Sequence, residues 1–200
     1  MAFRIATILQ LACAIGVFVL ASTPALAQRT RNQISSALVQ LPVGNQSAAE
    51  LAEAAGDRRL IDEIRNMPTL AIKVEARDKL AVIAERKPGI DLEIDFDPGS
   101  AVLTPLGVGA VIELGKALSE PEFKGQVFML AGQADGSRLD APNPGLSDRR
   151  VEAVKQYLVE KFKLVPTDLV AVGLGRIRTR RPADGLAAGG WRARVVNITP

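Results

Sequence analysis

From residue 90 onward the apolar positions fall into alternating strand and helix periods. Ile90, Leu92, Ile94 and Phe96 alternate with Asp91, Glu93, Asp95 and Asp97, the two-residue period of a strand with one apolar and one acidic face. Pro98-Gly99-Ser100 ends it. Thr104-Pro105 opens a helix that Val108, Val111, Ile112, Leu114 and Leu118 continue at helical spacing and Glu120-Pro121 closes. Residues 126–131 read QVFMLA, an apolar run suited to a strand buried on both faces. A loop rich in Gly, Asp, Asn and Pro runs from Gly132 to Gly145, after which Val151, Val154, Leu158 and Phe162 mark one stripe of a long helix. Residues 169–172, followed by Gly173-Leu174-Gly175, and residues 194–198 read as the last strands. The order β-α-β-α-β-β, with right-handed crossovers that place both helices on one face, predicts an α/β (α+β) two-layer sandwich over residues 89–200.

Upstream, Ser47 and Glu50 stand at capping-box spacing, and Leu51, Ala54, Ala55, Leu60, Ile61 and Ile64 recur at helical intervals. They predict a helix with a break at Gly56 that ends near Pro68. Leu70, Ile72 and Val74 alternate with Ala71, Lys73 and Glu75 as a short strand would, and Leu80, Val82 and Ile83 make residues 76–85 helical. Residues 47–88 thus form a small accessory region with no ligand motif. Residues 28–46 are polar, carry Arg29, Arg31, Pro42 and Gly44, and read as a flexible leader.

The first 27 residues have the layout of a signal peptide: Arg4, an apolar run over residues 5–20, then Ala25-Leu26-Ala27 before Gln28. They predict export to the periplasm, with association with the outer membrane or cell wall. An uncleaved anchor is the alternative, since residues 5–21 reach the lower limit of about 17 residues for a membrane span. Pro24 and the small-residue site favour cleavage. The only cysteine, Cys13, lies inside the apolar run, so the mature chain has no thiol or disulfide to rely on. Gln10 stands where a lipid-attachment site wants an aliphatic residue.

Composition narrows the chemistry. Histidine is absent from all 200 residues, which excludes imidazole-based nucleophile systems and the usual zinc sites. No metal and no cofactor is expected. The net charge of +3 is too small to attract nucleic acid or anionic lipid by bulk charge. The acidic face of Asp91, Glu93, Asp95 and Asp97 does not read as a hydrolytic pair, because such a pair needs one carboxyl in an apolar pocket with a partner opposite it.

The most informative stretch is Gly132-Gln133-Ala134-Asp135, then Asn143-Pro144-Gly145-Leu146-Ser147-Asp148-Arg149-Arg150. Asp135 falls where a buried strand ends, a usual place for a ligand group in such sheets. Arg150 falls in the opening turn of the next helix, whose free N–H groups and positive dipole end favour an anion. Two readings are open. Asp135 and Arg150 pair with each other across the loop, or they hold a zwitterion, the carboxylate taking an ammonium and the guanidinium forking onto a carboxylate.

The stretch resembles the OmpA-like peptidoglycan-binding domain family, whose pattern runs G-H-T-D and, eight residues after the Asp, N-x-x-L-S-x-x-R into a helix. Here Asn143 follows Asp135 by eight residues and Arg150 by fifteen, without a gap. The likeness covers residues 90–200 through Phe96-Asp97, Gly173-Leu174-Gly175, Pro182 and an ending similar to N-R-R-V-E. It implies an OmpA C-terminal-like fold, no catalysis, and peptidoglycan as the partner. Asp135 would take the amine of diaminopimelate and Arg150 its carboxylate, with Gln133, Ala134, Asn143, Leu146 and Arg194 at further ligand-lining positions. Outer-membrane or other envelope proteins are additional candidate partners.

Departures from the pattern matter. Gln133 and Ala134 replace His and Thr, Arg138 replaces a loop glycine, and the ending reads Arg192-Ala193-Arg194. Each hydrogen bond lost with those groups costs on the order of 1 kcal/mol. An assembly protein that keeps the fold with weakened or lost wall binding is therefore the alternative function. Arg194, with Arg192, has a second reading as a solvated strand edge. Arg176, Arg178, Arg180 and Arg181 read as a solvated basic loop. The larger family members add a membrane β-barrel, and residues 28–87 are too short and too helical for one, since eight strands of about ten residues are the minimum. A stand-alone periplasmic member is the expectation.

Overall fold

The computed structural model describes residues 29–40, 47–134, 145–175 and 191–200. The expected signal peptide with Cys13, the loop bearing Asp135, Arg138 and Asn143, and the basic run at 176–181 lie outside them.

The first described element contradicts the expected flexible leader. Arg31–Leu38 is a helix, α1, in which Ile34 and Leu38 are both fully buried. Their spacing of four residues puts both on one side of the helix, and two apolar anchors in a polar octet escape a reading based on average polarity. Gln33 Oε1 accepts from the Thr30 backbone N–H at 3.0 Å, which caps the start. Glu113, on a neighbouring helix, accepts from the Arg31 N–H at 3.0 Å and from Lys116 Nζ at 2.7 Å. The Lys116 hydrogen bond, with that of the Arg31 N–H, holds the Glu113 carboxyl below its ordinary pKa.

Ala48–Ile64 forms α2, with Ser47 and Glu50 in the predicted capping box. It runs unbroken through the exposed Gly56, a position that costs about 1 kcal/mol relative to alanine without stopping a helix. The expected strand at residues 70–74 is absent. Thr69–Ala71 is a 3-10 turn, Leu70 is exposed, Ile72 is buried, and Val74 opens α3, Val74–Arg86. A strand needs a ladder partner for its carbonyls. Here the Thr69 and Ile72 carbonyls accept instead from the Arg77 guanidinium, at 3.0 and 2.9 Å.

The sheet holds Gly89–Ile94 (β1), Phe128–Ala134 (β2), Leu169–Gly175 (β3) and Trp191–Asn197 (β4) in the order β1-β4-β2-β3. β2 and β3 are parallel, and β4 runs antiparallel to both β1 and β2. Pro105–Leu118 (α4) and Leu146–Phe162 (α5) are the two crossover helices. As predicted, both lie on one face. There Leu92, Phe128, Leu130, Ala193 and Val195 meet Val111 and Leu114 of α4, Val154 and Leu158 of α5, and the two anchors of α1.

The opposite face is equally apolar and is covered by the accessory region. Met129, Ala131, Val170, Val172 and Val196 pack against Ile61, Ile64, Ile72, Leu80 and Ile83. Successive residues of β2 thus serve two different cores, which is why its sequence is apolar without alternation. Arg194 corrects a second expectation. β4 is an interior strand, so Arg194 is no sheet edge. It faces Asp91 in register and bonds both of its carboxylate oxygens at 3.3 Å. The acidic face of β1 is matched by the basic positions of β4, Glu93 standing opposite Arg192 in the same way.

Candidate functional site

The site is built where β2 runs out and α5 begins. β2 and β3 are parallel neighbours up to Gly132, opposite Gly173, and the register slips between Gly132 and Gln133. Gly132 is required by proximity: a Cβ there would stand 2.6 Å from both Cζ2 of Trp191 and Cγ1 of Val151. The strand end can therefore press against the first turns of α5. Gly145 turns the chain into that helix with φ +83°, a left-handed conformation that suits glycine.

Arg150 is the fifth residue of α5, in its second turn rather than the opening one. The guanidinium is buried, with 3% of the residue exposed. Its Nε donates to the Ser100 carbonyl at 2.8 Å, and its plane lies over the Phe96 ring, 5.2 Å from the centroid. Phe96 in turn meets Trp191 edge to face, with centroids 5.0 Å apart and planes at 87°. Burying a cation is expensive unless dipoles and other groups compensate it. A carbonyl and a desolvated ring, the latter worth roughly 2 kcal/mol when water is excluded, supply part of that compensation. They also fix the guanidinium plane, which is the geometric requirement for forked recognition of a carboxylate.

Phe96 is placed by the turn that follows β1. It pairs with Leu103 as an isolated antiparallel bridge around Pro98-Gly99-Ser100, with Gly99 at φ +66°. The strand proper ends at Ile94, two residues before the alternation does. The same turn presents the Ser100 carbonyl to Arg150 and leads to Thr104, which caps α4 through Gly107 N–H at 3.2 Å. Trp191, the only tryptophan, is 2% exposed, and its indole N–H has no partner among the described residues. Its contribution here is ring area against Phe96 and the Gly132 backbone.

Residues 95–188 match the protein family described as OmpA family. This stretch is an OmpA family domain. Similar curated proteins include outer membrane porin F of Pseudomonas fluorescens, 34% identical over 89 residues, which are 44% of this chain and 26% of that protein. Outer membrane protein A of Escherichia fergusonii is 33% identical over 84 residues, 42% of this chain and 34% of that protein. The chain thus spans between about a quarter and a third of the length of these relatives. Among solved structures, the cell wall anchor of the T6SS from Pseudomonas aeruginosa has a TM-score of 0.41 at 15% identity, over 63% of this chain and 97% of that one. The OmpA-like domain of FopA1 from Francisella tularensis has a TM-score of 0.40 at 19% identity, over 55% and 73%.

Within the OmpA family domain, Gln133 and Ala134 are the last two residues of β2, beside Arg192 and Trp191 of β4. Leu146 is the first residue of α5 and is buried. These sit at the same end of the sheet as Arg150. Arg194 does not join them: it lies on the opposite face from Trp191 and Ala193, bonded to Asp91 and, through Nη2, to the Ala84 carbonyl at 3.4 Å. Asp135 and Asn143 are outside the described residues. Sequence reasoning left three contributors unassigned to the site: Phe96, Ser100 and Trp191. Trp191 was readable as the start of the alternation Trp191, Ala193, Val195; the Ser100 contribution is a backbone carbonyl and has no sequence signal.

Proposed function

We propose that this domain binds cell-wall peptidoglycan non-covalently and catalyses no reaction. The ligand group is the diaminopimelate of the stem peptide, with Arg150 on its carboxylate and Asp135 on its ammonium. The observation that carries this reading is the buried Arg150 guanidinium, oriented by the Ser100 carbonyl and the Phe96 ring at the mouth formed by β2 and α5. A side chain so constrained loses little entropy on forming two parallel hydrogen bonds. Gln133, Ala134, Asn143 and Leu146 line the same mouth in this reading, and the protein works in the periplasm, against the wall and beside outer-membrane or other envelope proteins.

Purified peptidoglycan tests it by co-sedimentation. The full chain is expected to pellet with the wall, Asp135→Ala and Arg150→Ala to remain in the supernatant, and free diaminopimelate to compete. Failure of the wild type to pellet, or pelleting by both variants, overturns the reading. Weak binding is expected even on success. The missing imidazole and hydroxyl at Gln133 and Ala134 lower affinity by roughly tenfold to a hundredfold, at about 1 kcal/mol for each lost hydrogen bond. A second reading, an envelope assembly protein with this fold and little wall binding, is favoured by the same two departures and by the engagement of Arg194 away from the site.

A further inference from the structure

The accessory region grips α5 at the level of the site. Arg77 of α3 donates to four acceptors: Nε to the Ile72 carbonyl at 2.9 Å, Nη2 to the Thr69 carbonyl at 3.0 Å, and Nη1 to Asp148 Oδ1 at 2.6 Å and to the Gly173 carbonyl. Asp148 Oδ1 also accepts from the Gly173 N–H at 2.9 Å. Both side chains of the pair are largely buried, 17% and 13% exposed. One turn further along the helix, the Thr69 hydroxyl donates to Glu152 Oε2 at 2.5 Å. Gly173 is small out of need, because a Cβ there would stand 2.5 Å from Asp148 Oδ1.

Asp148 and Glu152 are four residues apart and so lie on one side of α5, while Arg150, two residues from each, projects roughly 200° round the helix axis. Holding the first side fixes the rotation of the helix about its own axis. That rotation decides where the Arg150 guanidinium points. A buried ion pair contributes little net stability compared with an apolar pair of the same shape; what a planar guanidinium with four fixed acceptors supplies is geometry.

We propose that Arg77 is a positioning residue of the ligand site, acting through Asp148 to orient Arg150, and that residues 69–77 are the brace that carries it. The consequence for ligand affinity rests on the wall-binding reading above; the orientation of α5 does not. Arg65 provides the control. It joins the accessory region to the opposite end of β3, bonding the Thr167 carbonyl at 3.0 Å and Asp168 at 2.7 Å.

The experiment compares Arg77→Met, Arg65→Met and Thr69→Val in the full chain, by wall co-sedimentation and by the near-ultraviolet circular dichroism of Trp191, which reports the Phe96 stack beneath Arg150. Arg77→Met is expected to weaken wall binding about fivefold to tenfold and to change the Trp191 band without ligand. Thr69→Val is expected to shift both in the same direction by less. Arg65→Met is expected to lower the melting temperature while leaving affinity and band as in the wild type. The proposal is overturned if Arg77→Met binds and absorbs like the wild type, or if Arg65→Met loses as much affinity. Should Arg77→Met not fold, Thr69→Val decides, and an unchanged band and affinity there reject the brace. If the wild type does not bind the wall, the functional reading falls and the Trp191 band alone judges the brace.

Discussion

Phe96 and Trp191 meet edge to face, 5.0 Å between centroids, and the outer face of Phe96 carries the Arg150 guanidinium. One aromatic ring thus joins the sheet's core to its only buried arginine among the described residues. Phe96→Leu keeps an apolar body but removes the ring. It is expected to weaken wall binding by roughly threefold to thirtyfold, the equivalent of a desolvated cation–π contact, and to alter Trp191 emission. Binding equal to the wild type would show that the Phe96 ring is not needed to hold Arg150.

Gly132→Ala is expected to destabilise the fold by about 1–3 kcal/mol through overpacking. The added carbon meets Trp191 and Val151 at 2.6 Å, and both are buried with little room to move. Urea denaturation followed by Trp191 fluorescence measures it. An unchanged midpoint would mean that β2 and α5 can separate at no cost.

Asn197 is wholly buried and ties three segments together. Its Nδ2 donates to the Leu38 carbonyl at 2.9 Å and to Gln126 Oε1 at 2.5 Å, and its Oδ1 accepts from the Thr199 hydroxyl at 2.7 Å and Gln40 Nε2 at 3.1 Å. Asn197→Leu leaves the Leu38 carbonyl unpaired in the interior and takes a partner from each of the half-buried Gln40, Gln126 and Thr199. A loss of roughly 2–4 kcal/mol is expected, read as a lowered urea midpoint; a gain in stability would refute the accounting.

Ile34→Ala tests whether α1 belongs to the core. Truncating a fully buried isoleucine costs about 2–5 kcal/mol where the site cannot collapse. A stability within experimental error of the wild type would return residues 31–38 to the status of a loose leader.

Acid should weaken the junction of α1 with α4. Glu113 is held below its ordinary pKa first by Lys116 and then by the Arg31 N–H. Its stabilising effect is therefore complete above the unfolded-state value and disappears as pH falls through the lower folded-state value. The difference in urea midpoint between wild type and Glu113→Gln is expected to shrink on going from neutral to acid pH. Because the pair is partly exposed, added salt should shrink it too. A difference constant with pH would exclude this carboxylate as a source of acid lability.

The sheet and its two crossover helices were legible because their periods are long and consistent. Ile90, Leu92 and Ile94 alternate, Val151, Val154 and Leu158 repeat, and residues 126–131 are apolar on both sides. What was not legible depends on neighbours far along the chain. Leu70, Ile72 and Val74 have the spacing of a strand, but Arg77 occupies the carbonyls that a strand would offer. Two buried side chains are too few to distinguish α1 from a polar leader. Arg194 looks like an edge charge until β4 is found between β1 and β2. At the site, the spacing of Asp135, Asn143 and Arg150 was visible, whereas the burial of Arg150 over Phe96 came from a turn fifty residues away.

The position of β4 has a consequence for how the chain acquires its shape. Among the described residues β1 has no sheet neighbour except β4, and Asp91 stands 103 positions before its partner Arg194. During synthesis β1, α4, β2, α5 and β3 all emerge before the strand that unites them, so the longest-range pairing is also the last available. Until then only the parallel pair β2 and β3 can form, a marginal unit on its own. Closing so long a loop late makes folding slow and cooperative. A chain interrupted short of residue 191 would lack the middle of its sheet, and with it any reason for the two halves to stay together.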